Sequence, residues 1–134
     1  SMYKGDLPPS EAYARLKANP NAVLIDVRTQ PEWTFVGVPM VDRLVRLSWQ
    51  VYPQMDVNAR FAEDVKALGL GNDAEIYCIC RSGARSKAAA MHMTSLGYRR
   101  CYNLEGGFEG PLDGARHRGA AAGWKAAGLP WFQE

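Results

Sequence analysis

The chain has 134 residues, of which 47% are hydrophobic and 22% are charged, and its formal net charge is +2. These values are those of an ordinary globular protein with a single hydrophobic core. The net charge is too small to indicate binding to nucleic acid or to an anionic membrane surface. No apolar run approaches the roughly 20 residues of a membrane span, and no signal-peptide pattern opens the chain.

Three cysteines, an odd number, favour a reducing compartment over a disulfide scaffold. We therefore expect a cytoplasmic protein. The cysteines and histidines lack the spacing of a zinc site, and no metal or cofactor is expected. Ser1 before Met2 indicates a tag remnant, which leaves open a natural extension at this end. We expect residues 1–7 to be this remnant with a lead-in, and residues 8–134 to form one domain.

The first part of the chain predicts a helix, a strand and a second helix. Within residues 8–20, Pro-Pro-Ser-Glu opens a helix, and the Asn-Pro pair at its end stops it. Residues 22–27 form a nearly continuous apolar run, which is typical of a parallel strand buried on both faces. Thr29 and Glu32 have the spacing of a capping box, and the brief helix that they begin should end at Gly37.

The middle of the chain has weaker patterns. Residues 41–49 alternate apolar and polar side chains imperfectly and predict a strand. The following loop, residues 49–55, carries Trp, Tyr, Pro and Met side chains. It either forms an apolar rim for a donor or partner, or packs as an ordinary loop. Asn58 is expected to cap the next helix, whose apolar residues recur at helical spacing over residues 61–68.

A strand, a short polar loop and a helix follow one another in the most informative stretch. Residues 75–80 form an apolar strand, and the alanine-rich residues 87–96 predict a helix that Gly97 ends. Between them lies the segment Cys80-Arg81-Ser82-Gly83-Ala84-Arg85-Ser86, named here the cysteine loop. Residues 100–104 are a last predicted strand. The alternation of strands and helices indicates the α/β class.

Cys80 is the candidate catalytic residue. A cysteine at a strand-to-helix junction faces backbone N–H groups and the positive end of the helix dipole. Arg81 and Arg85 add positive charge on either side, so the thiolate, which is the nucleophilic form, is favoured. Cys78 and Cys101 are expected to be small core residues, although Cys78 shares a strand face with Cys80 and a resolving role stays open.

Asp26 and Arg28 share one face at the end of a predicted strand, at the sheet edge where sites collect. Asp26 is expected to brace the cysteine loop by accepting backbone or arginine hydrogen bonds. Arg28 is expected to form a structural pair with Glu32. Arg85 either attracts an anionic donor or forms a structural link to Asp26 or Glu105.

The cysteine loop resembles the active-site loop of rhodanese-type sulfurtransferases. Three weaker matches follow the family's order: Leu24-Ile25-Asp26-Val27-Arg28, Asn103-Leu104-Glu105-Gly106-Gly107 and Ala127-Gly128-Leu129-Pro130. The resemblance implies a three-layer α/β domain over residues 8–134, with a parallel sheet of about five strands and helices on both faces. The chain departs from the family at Gly37-Val38-Pro39, where the usual histidine is missing. Residues 108–122 look like an insertion.

The implied reaction is ping-pong transfer of a sulfane sulfur. The Cys80 thiolate attacks the outer sulfur of a small anionic donor such as thiosulfate, sulfite leaves, and the Cys80 persulfide passes its sulfur to a thiol, to cyanide or to a protein acceptor. The expected substrate-binding residues are the rest of the loop, and two residues support it: Arg81, Ser82, Gly83, Ala84, Arg85 and Ser86, with Asp26 and Arg28 in support.

Two other functions stay open. Cysteine-dependent phosphatases and arsenate reductases of this fold would need a loop sized for a tetrahedral anion, C-x5-R in the phosphatases, whereas Cys80 to Arg85 is C-x4-R. The shorter loop suits the single outer sulfur of a persulfide better. A phosphatase also needs a general acid, for which Asp26 is the only candidate near the loop. A sulfur-relay or binding module for one protein partner would use Cys80 as an enzyme does, so the sequence does not separate the two.

The basic cluster Arg116-His117-Arg118 follows the last predicted strand at the edge where the cysteine loop emerges. It either folds over the mouth of the site and presents positive charge to a donor, or is solvated and points elsewhere. His92 is expected to be structural, since six residues of helix beyond Ser86 place it about 9 Å away along the axis.

Overall fold

The computed structural model describes residues 2–134, so Ser1 of the predicted tag remnant lies outside the described residues. The strands within this range are β1 (Gly5–Leu7), β2 (Val23–Asp26), β3 (Val38–Pro39), β4 (Leu44–Arg46), β5 (Gln50–Val51), β6 (Asp56–Val57), β7 (Glu75–Ile79), β8 (Arg100–Leu104) and β9 (Trp131–Phe132). The helices are α1 (Pro9–Ala18), α2 (Gln30–Val36), α3 (Phe61–Ala67) and α4 (Ala84–Ser95). None of these helices is long and apolar enough to cross a membrane.

A five-stranded sheet in the order β1-β8-β7-β2-β4 forms the centre of the molecule. All four strand pairings in it are parallel. Parallel neighbours need crossover connections, and α1 to α4 lie in these connections. Two short antiparallel pairs, β3 with β9 and β5 with β6, lie outside the central sheet. The predicted α/β fold with about five parallel strands is confirmed.

The two faces of the sheet are covered by different helices. Because successive side chains of a strand point to opposite faces, Ile76 and Cys78 of β7 join a core cluster with residues of α3 and α4. Tyr77 and Ile79 join a second cluster that contains Ala12 of α1. The structure therefore has the predicted three layers, with hydrophobic cores above and below the sheet.

The predicted boundaries of the early elements agree with the structure. Helix α1 ends at Ala18, directly before the Asn-Pro pair. The Glu32 carboxylate accepts hydrogen bonds from the Thr29 N–H at 3.2 Å and from the Thr29 hydroxyl at 2.9 Å, so the predicted capping box is present. Gly37 ends α2 with φ at 111°, a backbone conformation that side-chain-bearing residues rarely adopt.

Other boundaries differ. Gly5–Leu7, predicted as lead-in, form edge strand β1 and pair with β8, so the sheet begins before residue 8. Helix α3 begins after Arg60 rather than Asn58, because the Asn58 side chain accepts the Arg60 N–H in a turn that precedes the helix. Helix α4 begins at Ala84, three residues before the predicted start, which shortens the irregular part of the cysteine loop.

The sheet order places the site. Strand β7 lies between β2 and β8, and Ile79 pairs with Asp26 at the end of β2. Because the strands are parallel, the residues that follow all three strands emerge at the same carboxyl edge. Cys80 is the first residue after β7 and therefore lies at this edge, beside the segments that follow β2 and β8.

Candidate active site

Cys80 lies at the junction of β7 and α4 and is only 1% exposed. Its Sγ accepts a hydrogen bond from the Gly83 N–H at 3.1 Å. Gly83 is the N-cap of α4, with φ at 118°. The N–H groups of the first turn have no intrahelical acceptors, so this end of the helix carries partial positive charge. An N–H donor and the positive end of a helix thus face the sulfur of Cys80.

Ser86 links Cys80 to β8. Its Oγ lies 3.1 Å from Cys80 Sγ and 2.5 Å from Asn103 Oδ1, and all three side chains are buried. The hydroxyl has one hydrogen, so it donates to only one of these acceptors at a time. The Asn103 amide donates in turn to Asp6 of β1 at 3.0 Å. Asn103 is a site residue that our prediction missed, although a polar residue inside an apolar strand is a sequence signal for such a role.

The backbone of the cysteine loop is held by the segment that follows β8. The Phe108 N–H donates to the Cys80 carbonyl at 2.8 Å. The N–H groups of Glu109 and Gly110 both donate to the Arg81 carbonyl, at 2.9 and 3.1 Å. Gly107 makes this approach possible, because a Cβ there would lie 2.7 Å from the Arg81 carbonyl oxygen. Gly107 of the Asn103 to Gly107 motif thus allows the two backbones to meet.

Arg85 forms a bidentate pair with Glu32. Its two Nη atoms donate to the two carboxylate oxygens at 2.7 and 2.8 Å. Burial alone would raise the pKa of Glu32, but the hydrogen bonds and charge of Arg85 hold it below its ordinary value. The hydrogen bonds with Glu32 raise the pKa of Arg85. The alternative that Arg85 forms a structural link to Asp26 or Glu105 is therefore wrong, because its partner is Glu32. The prediction that Glu32 pairs with Arg28 is wrong as well.

Asp26 and Arg28 pair with each other. Arg28 Nε donates to Oδ1 at 3.0 Å and Nη2 donates to Oδ2 at 2.7 Å, and both side chains are fully buried. Arg28 also donates to the Gly37 carbonyl. Buried charges need partners at short range, and the hydrogen bonds that Asp26 accepts come from Arg28 instead of the cysteine loop. The prediction that Asp26 braces the cysteine loop by accepting its hydrogen bonds is therefore wrong. The Arg28 guanidinium lies 4.4 Å from the ring of Phe108, and the Phe108 backbone N–H donates to the Cys80 carbonyl.

Cys80 opens into a cavity of about 560 Å³, named here the cleft. Its lining comes from α2, the β5–β6 hairpin, the cysteine loop and the segment after β8: Glu32, Gln50, Met55, Cys80, Arg81, Ser82, Ala84, Arg85, Glu109 and Arg118. Arg118 of the basic cluster is at the cleft, whereas Arg116 and His117 are exposed and do not line it. A larger cavity of about 680 Å³, between α1 and the segment before β4, contains none of the predicted site residues.

The 49–55 segment divides between the core and the cleft. The Trp49 ring packs edge to face against the Phe61 ring, with the ring centroids 5.0 Å apart. Its centroid lies 5.5 Å from that of the His92 ring, which is tilted against it. His92 therefore belongs to this aromatic cluster, as the prediction of a structural role requires. Met55 and Gln50 line the cleft. The segment thus contributes a core contact through Trp49 and part of the rim through the hairpin.

The other two cysteines lie in the core. Cys78 and Cys101 are fully buried and have free thiols. Burial raises the pKa of Cys78 well above its ordinary value and that of Cys101 to about 11. Both therefore stay protonated at neutral pH, which agrees with the prediction of core residues. Within residues 2–134 no group of three or more His, Cys, Asp or Glu side chains is arranged to hold a metal ion.

Comparison with known proteins places the chain in a family. The rhodanese-like domain model matches residues 8–111. The protein RC0915 of Rickettsia conorii is 40% identical over 128 residues, 91% of this chain and 92% of the relative. The thiosulfate sulfurtransferase GlpE of Pseudomonas fluorescens is 30% identical over 106 residues, 77% and 80% of the two chains. The crystal structure of Rv0390 from M. tuberculosis has a TM-score of 0.90 at 40% identity and covers 98% and 99%. The chain belongs to the rhodanese-like family.

Proposed function

We propose that the protein is a sulfurtransferase that carries a sulfane sulfur on Cys80, from a thiosulfate-like donor to a thiol or cyanide. The observation that carries this proposal is the position of Cys80 Sγ, 3.1 Å from both the Gly83 N–H donor and the Ser86 hydroxyl, at the start of α4. The 30% identity to a protein named thiosulfate sulfurtransferase supports the choice of donor.

Transfer to the enzyme needs no proton. The Cys80 thiolate attacks the outer sulfur of thiosulfate and forms a new S–S bond, while the old S–S bond breaks and its electron pair leaves with sulfite. The negative charge of Cys80 is now on the outer sulfur of a persulfide. In the second half-reaction an acceptor thiolate or cyanide takes that sulfur, and the Cys80 thiolate returns.

The cysteine loop supplies donors for the charge on the outer sulfur. The N–H groups of Ala84, Arg85 and Ser86 lie in the first turn of α4 and have no intrahelical acceptors. Such preformed donors stabilise a developing anion without reorganisation during the reaction. Arg81 is exposed beside them and attracts an anionic donor. We therefore assign donor binding to residues 81–86, with Asp26 and Arg28 acting through Phe108.

Phosphatase or arsenate reductase chemistry fits the site less well. Both Nη atoms of Arg85 are bound to Glu32, so this guanidinium is not free to hold a tetrahedral oxyanion as a fork. Asp26 is bound to Arg28 and buried, so it is not placed to act as a general acid. We expect no meaningful turnover of an aryl phosphate by the wild-type protein.

A protein acceptor is the second candidate, favoured by the β5–β6 hairpin. Its Val51, Tyr52 and Val57 are 48%, 59% and 55% exposed, beside the two hairpin residues that line the cleft. Exposed apolar side chains at the rim of a site favour contact with a protein. If a protein is the acceptor, replacing Tyr52 with Ala should slow transfer to that protein and leave transfer to cyanide unchanged.

Intact-mass spectrometry after thiosulfate treatment tests the proposal. The wild type should gain the mass of one sulfur atom and release one sulfite, and it should turn over thiosulfate with cyanide. Cys80→Ser should do neither, because its hydroxyl stays protonated at neutral pH. Cys78→Ser and Cys101→Ser are the matched controls and should behave as the wild type. Turnover by Cys80→Ser would contradict the assignment of the nucleophile.

A further inference from the structure

We propose that Arg118 is a specificity-determining residue that binds the anionic end of the sulfur donor in the cleft. The inference rests on the proposed function and goes beyond it, because it places part of the donor site outside the cysteine loop. Arg118 comes from residues 109–119, named here the Arg118 loop, of which only the first three residues lie in the part that the family model matches.

The charges around the cleft single out Arg118. Three arginines line it, but the Arg85 guanidinium is held by the Glu32 carboxylate in a bidentate pair. Arg118 forms no salt bridge within 4.0 Å among residues 2–134. It is half-buried, whereas Arg81 is exposed. Arg118 is therefore the most enclosed cation of the cleft that has no carboxylate partner.

The Arg118 loop fixes the position of this side chain. The Gly119 N–H donates to the Glu109 carbonyl and closes the base of the loop, and the Asp113 N–H donates to the His117 carbonyl near its tip. Arg118 Nη1 donates to the Gly110 carbonyl at 2.8 Å. The Gly110 N–H donates to the Arg81 carbonyl. Gly110 therefore links the Arg118 guanidinium to the backbone of the cysteine loop. A side chain that is already held in place loses little conformational entropy when it binds a ligand.

A thiosulfate-like donor has the charge distribution that this arrangement requires. When its outer sulfur contacts Cys80 Sγ, its sulfonate oxygens lie away from that sulfur, within the cleft. A planar guanidinium binds such oxygens with directed, charge-assisted hydrogen bonds. Glu109 also lines the cleft and repels an anion. The proposal therefore predicts opposite effects at two neighbouring residues: loss of Arg118 weakens donor binding, and loss of the Glu109 charge strengthens it.

Arg118→Gln and Arg116→Gln form a matched pair for the test. Both remove one positive charge from the same loop, but Arg116 is exposed and does not line the cleft. Both variants lower the net charge by one, and salt screens the long-range part of its effect, so a difference between them that persists at high salt reports contact. Glutamine at position 118 also keeps a donor for the Gly110 carbonyl, which preserves the loop.

Steady-state kinetics with thiosulfate and cyanide should separate the two variants. Arg118→Gln should raise the KM for thiosulfate about tenfold, the scale of one lost hydrogen bond to a charged group. Its kcat and its KM for cyanide should change less than about twofold, because the second half-reaction does not use the sulfonate group. Arg116→Gln should match the wild type at high salt, and Glu109→Gln should lower the KM for thiosulfate. Equal KM values for Arg118→Gln and Arg116→Gln would overturn the inference.

Thiosulfate binding to the Cys80→Ala protein distinguishes failure of this inference from failure of the proposed function. Calorimetric titration at constant ionic strength measures donor binding without chemistry. Weaker binding by Cys80→Ala/Arg118→Gln than by Cys80→Ala/Arg116→Gln supports the role of Arg118 even if the wild type forms no persulfide. Equal binding by the two overturns it, even if wild-type turnover is normal. No measurable binding to the Cys80→Ala parent overturns it as well.

Discussion

Glu32 connects the first turns of two helices. Its carboxylate caps α2 through Thr29 and binds both Nη atoms of Arg85 at the start of α4. The Arg85 and Glu32 side chains are 16% and 19% exposed, so water screens the pair only partly. One carboxylate thus fixes the orientation of α2 against the cysteine loop and reduces the positive charge of the cleft.

Glu32→Gln should lower the free energy of unfolding at neutral pH by about 2 kcal/mol, the scale of hydrogen bonds to charged groups. The folded-state pKa of Glu32 lies below its ordinary value of 4.5, so its stabilisation is complete above 4.5 and is lost as pH falls through the lower folded-state pKa. The difference between wild type and variant should therefore shrink as pH is lowered below 4.5. Urea denaturation at a series of pH values measures it.

Glu63→Gln is the matched control for this prediction. Glu63 pairs with Arg60 at 3.3 Å, but the two side chains are 69% and 73% exposed. Exposed pairs contribute little to stability, so this variant should stay close to the wild type at every pH. If Glu32→Gln is as stable as Glu63→Gln, the pair of Glu32 with Arg85 does not contribute to the free energy of unfolding.

The partners of the charged residues were the part of the site that the sequence predicted least well. Thr29 and Glu32 are three residues apart, so their local pattern was visible, but Arg85 is 53 residues from Glu32 and only the tertiary fold brings it there. The sequence predicted Asp26 and Arg28 on one strand face, but β2 ends at Asp26 and Arg28 follows it, and we did not pair the two. Their complete burial decides the pairing, because it removes water as an alternative partner.

At the scale of elements, the turn after β8 determines the shape of the cysteine loop. Gly107 has φ at 63° and meets the backbone of Arg81. This position therefore imposes two requirements on its residue: a left-handed conformation and the absence of a Cβ.

Gly107→Ala should reduce stability and slow the formation of the Cys80 adduct. Gly69→Ala is the matched control, since Gly69 has φ at 71° but no atom within 4 Å of an added Cβ. The control should cost about 1–2 kcal/mol for the left-handed conformation alone. Gly107→Ala should cost a further 1–3 kcal/mol, about the range for overpacking. Denaturation and the rate of mass gain with thiosulfate measure both effects; identical losses in the two variants would contradict the steric argument.

The elements with clear end signals were the ones that sequence predicted well. Proline, the capping box and glycine fixed α1 and α2, and the last strand of the central sheet, β8, was placed with its observed ends over Arg100–Leu104. Strand β1 and the β5–β6 hairpin have two or three residues in each strand and no apolar period of their own. These strands form because the tertiary fold brings another strand beside each of them, β8 beside β1 and β6 beside β5. A local sequence pattern does not show which strands become neighbours.

At the scale of the whole molecule, the C-terminal segment is part of the second hydrophobic core. Trp124 is fully buried, stacks edge to face with Tyr13 of α1 at 5.6 Å, and donates its indole N–H to the Pro130 carbonyl. Lys125 donates to the Val36 carbonyl and lies 4.1 Å from the ring of Trp131. The segment beyond the residues that the family model matches therefore closes one face of the sheet.

Trp124→Ala should lower the free energy of unfolding by about 3–5 kcal/mol, the range for removing a buried aromatic side chain. Trp131→Ala is the control of the same chemistry, since Trp131 is 39% exposed and should cost clearly less. Chemical denaturation followed by circular dichroism measures both. Equal effects would show that the C-terminal segment does not depend on Trp124 for its attachment.

The support of Cys80 from residues 108–110 consists of backbone hydrogen bonds alone. Every residue type except proline has the N–H group that such a bond needs. The Glu109 side chain can therefore change without weakening these bonds, and so can that of Arg118 as long as its replacement still donates to the Gly110 carbonyl. Under the proposed function, donor preference can change through these two positions while Cys80, α4 and the cysteine loop stay the same. The same division allows an engineer to redirect the cleft toward other sulfur donors by substituting residues outside the cysteine loop.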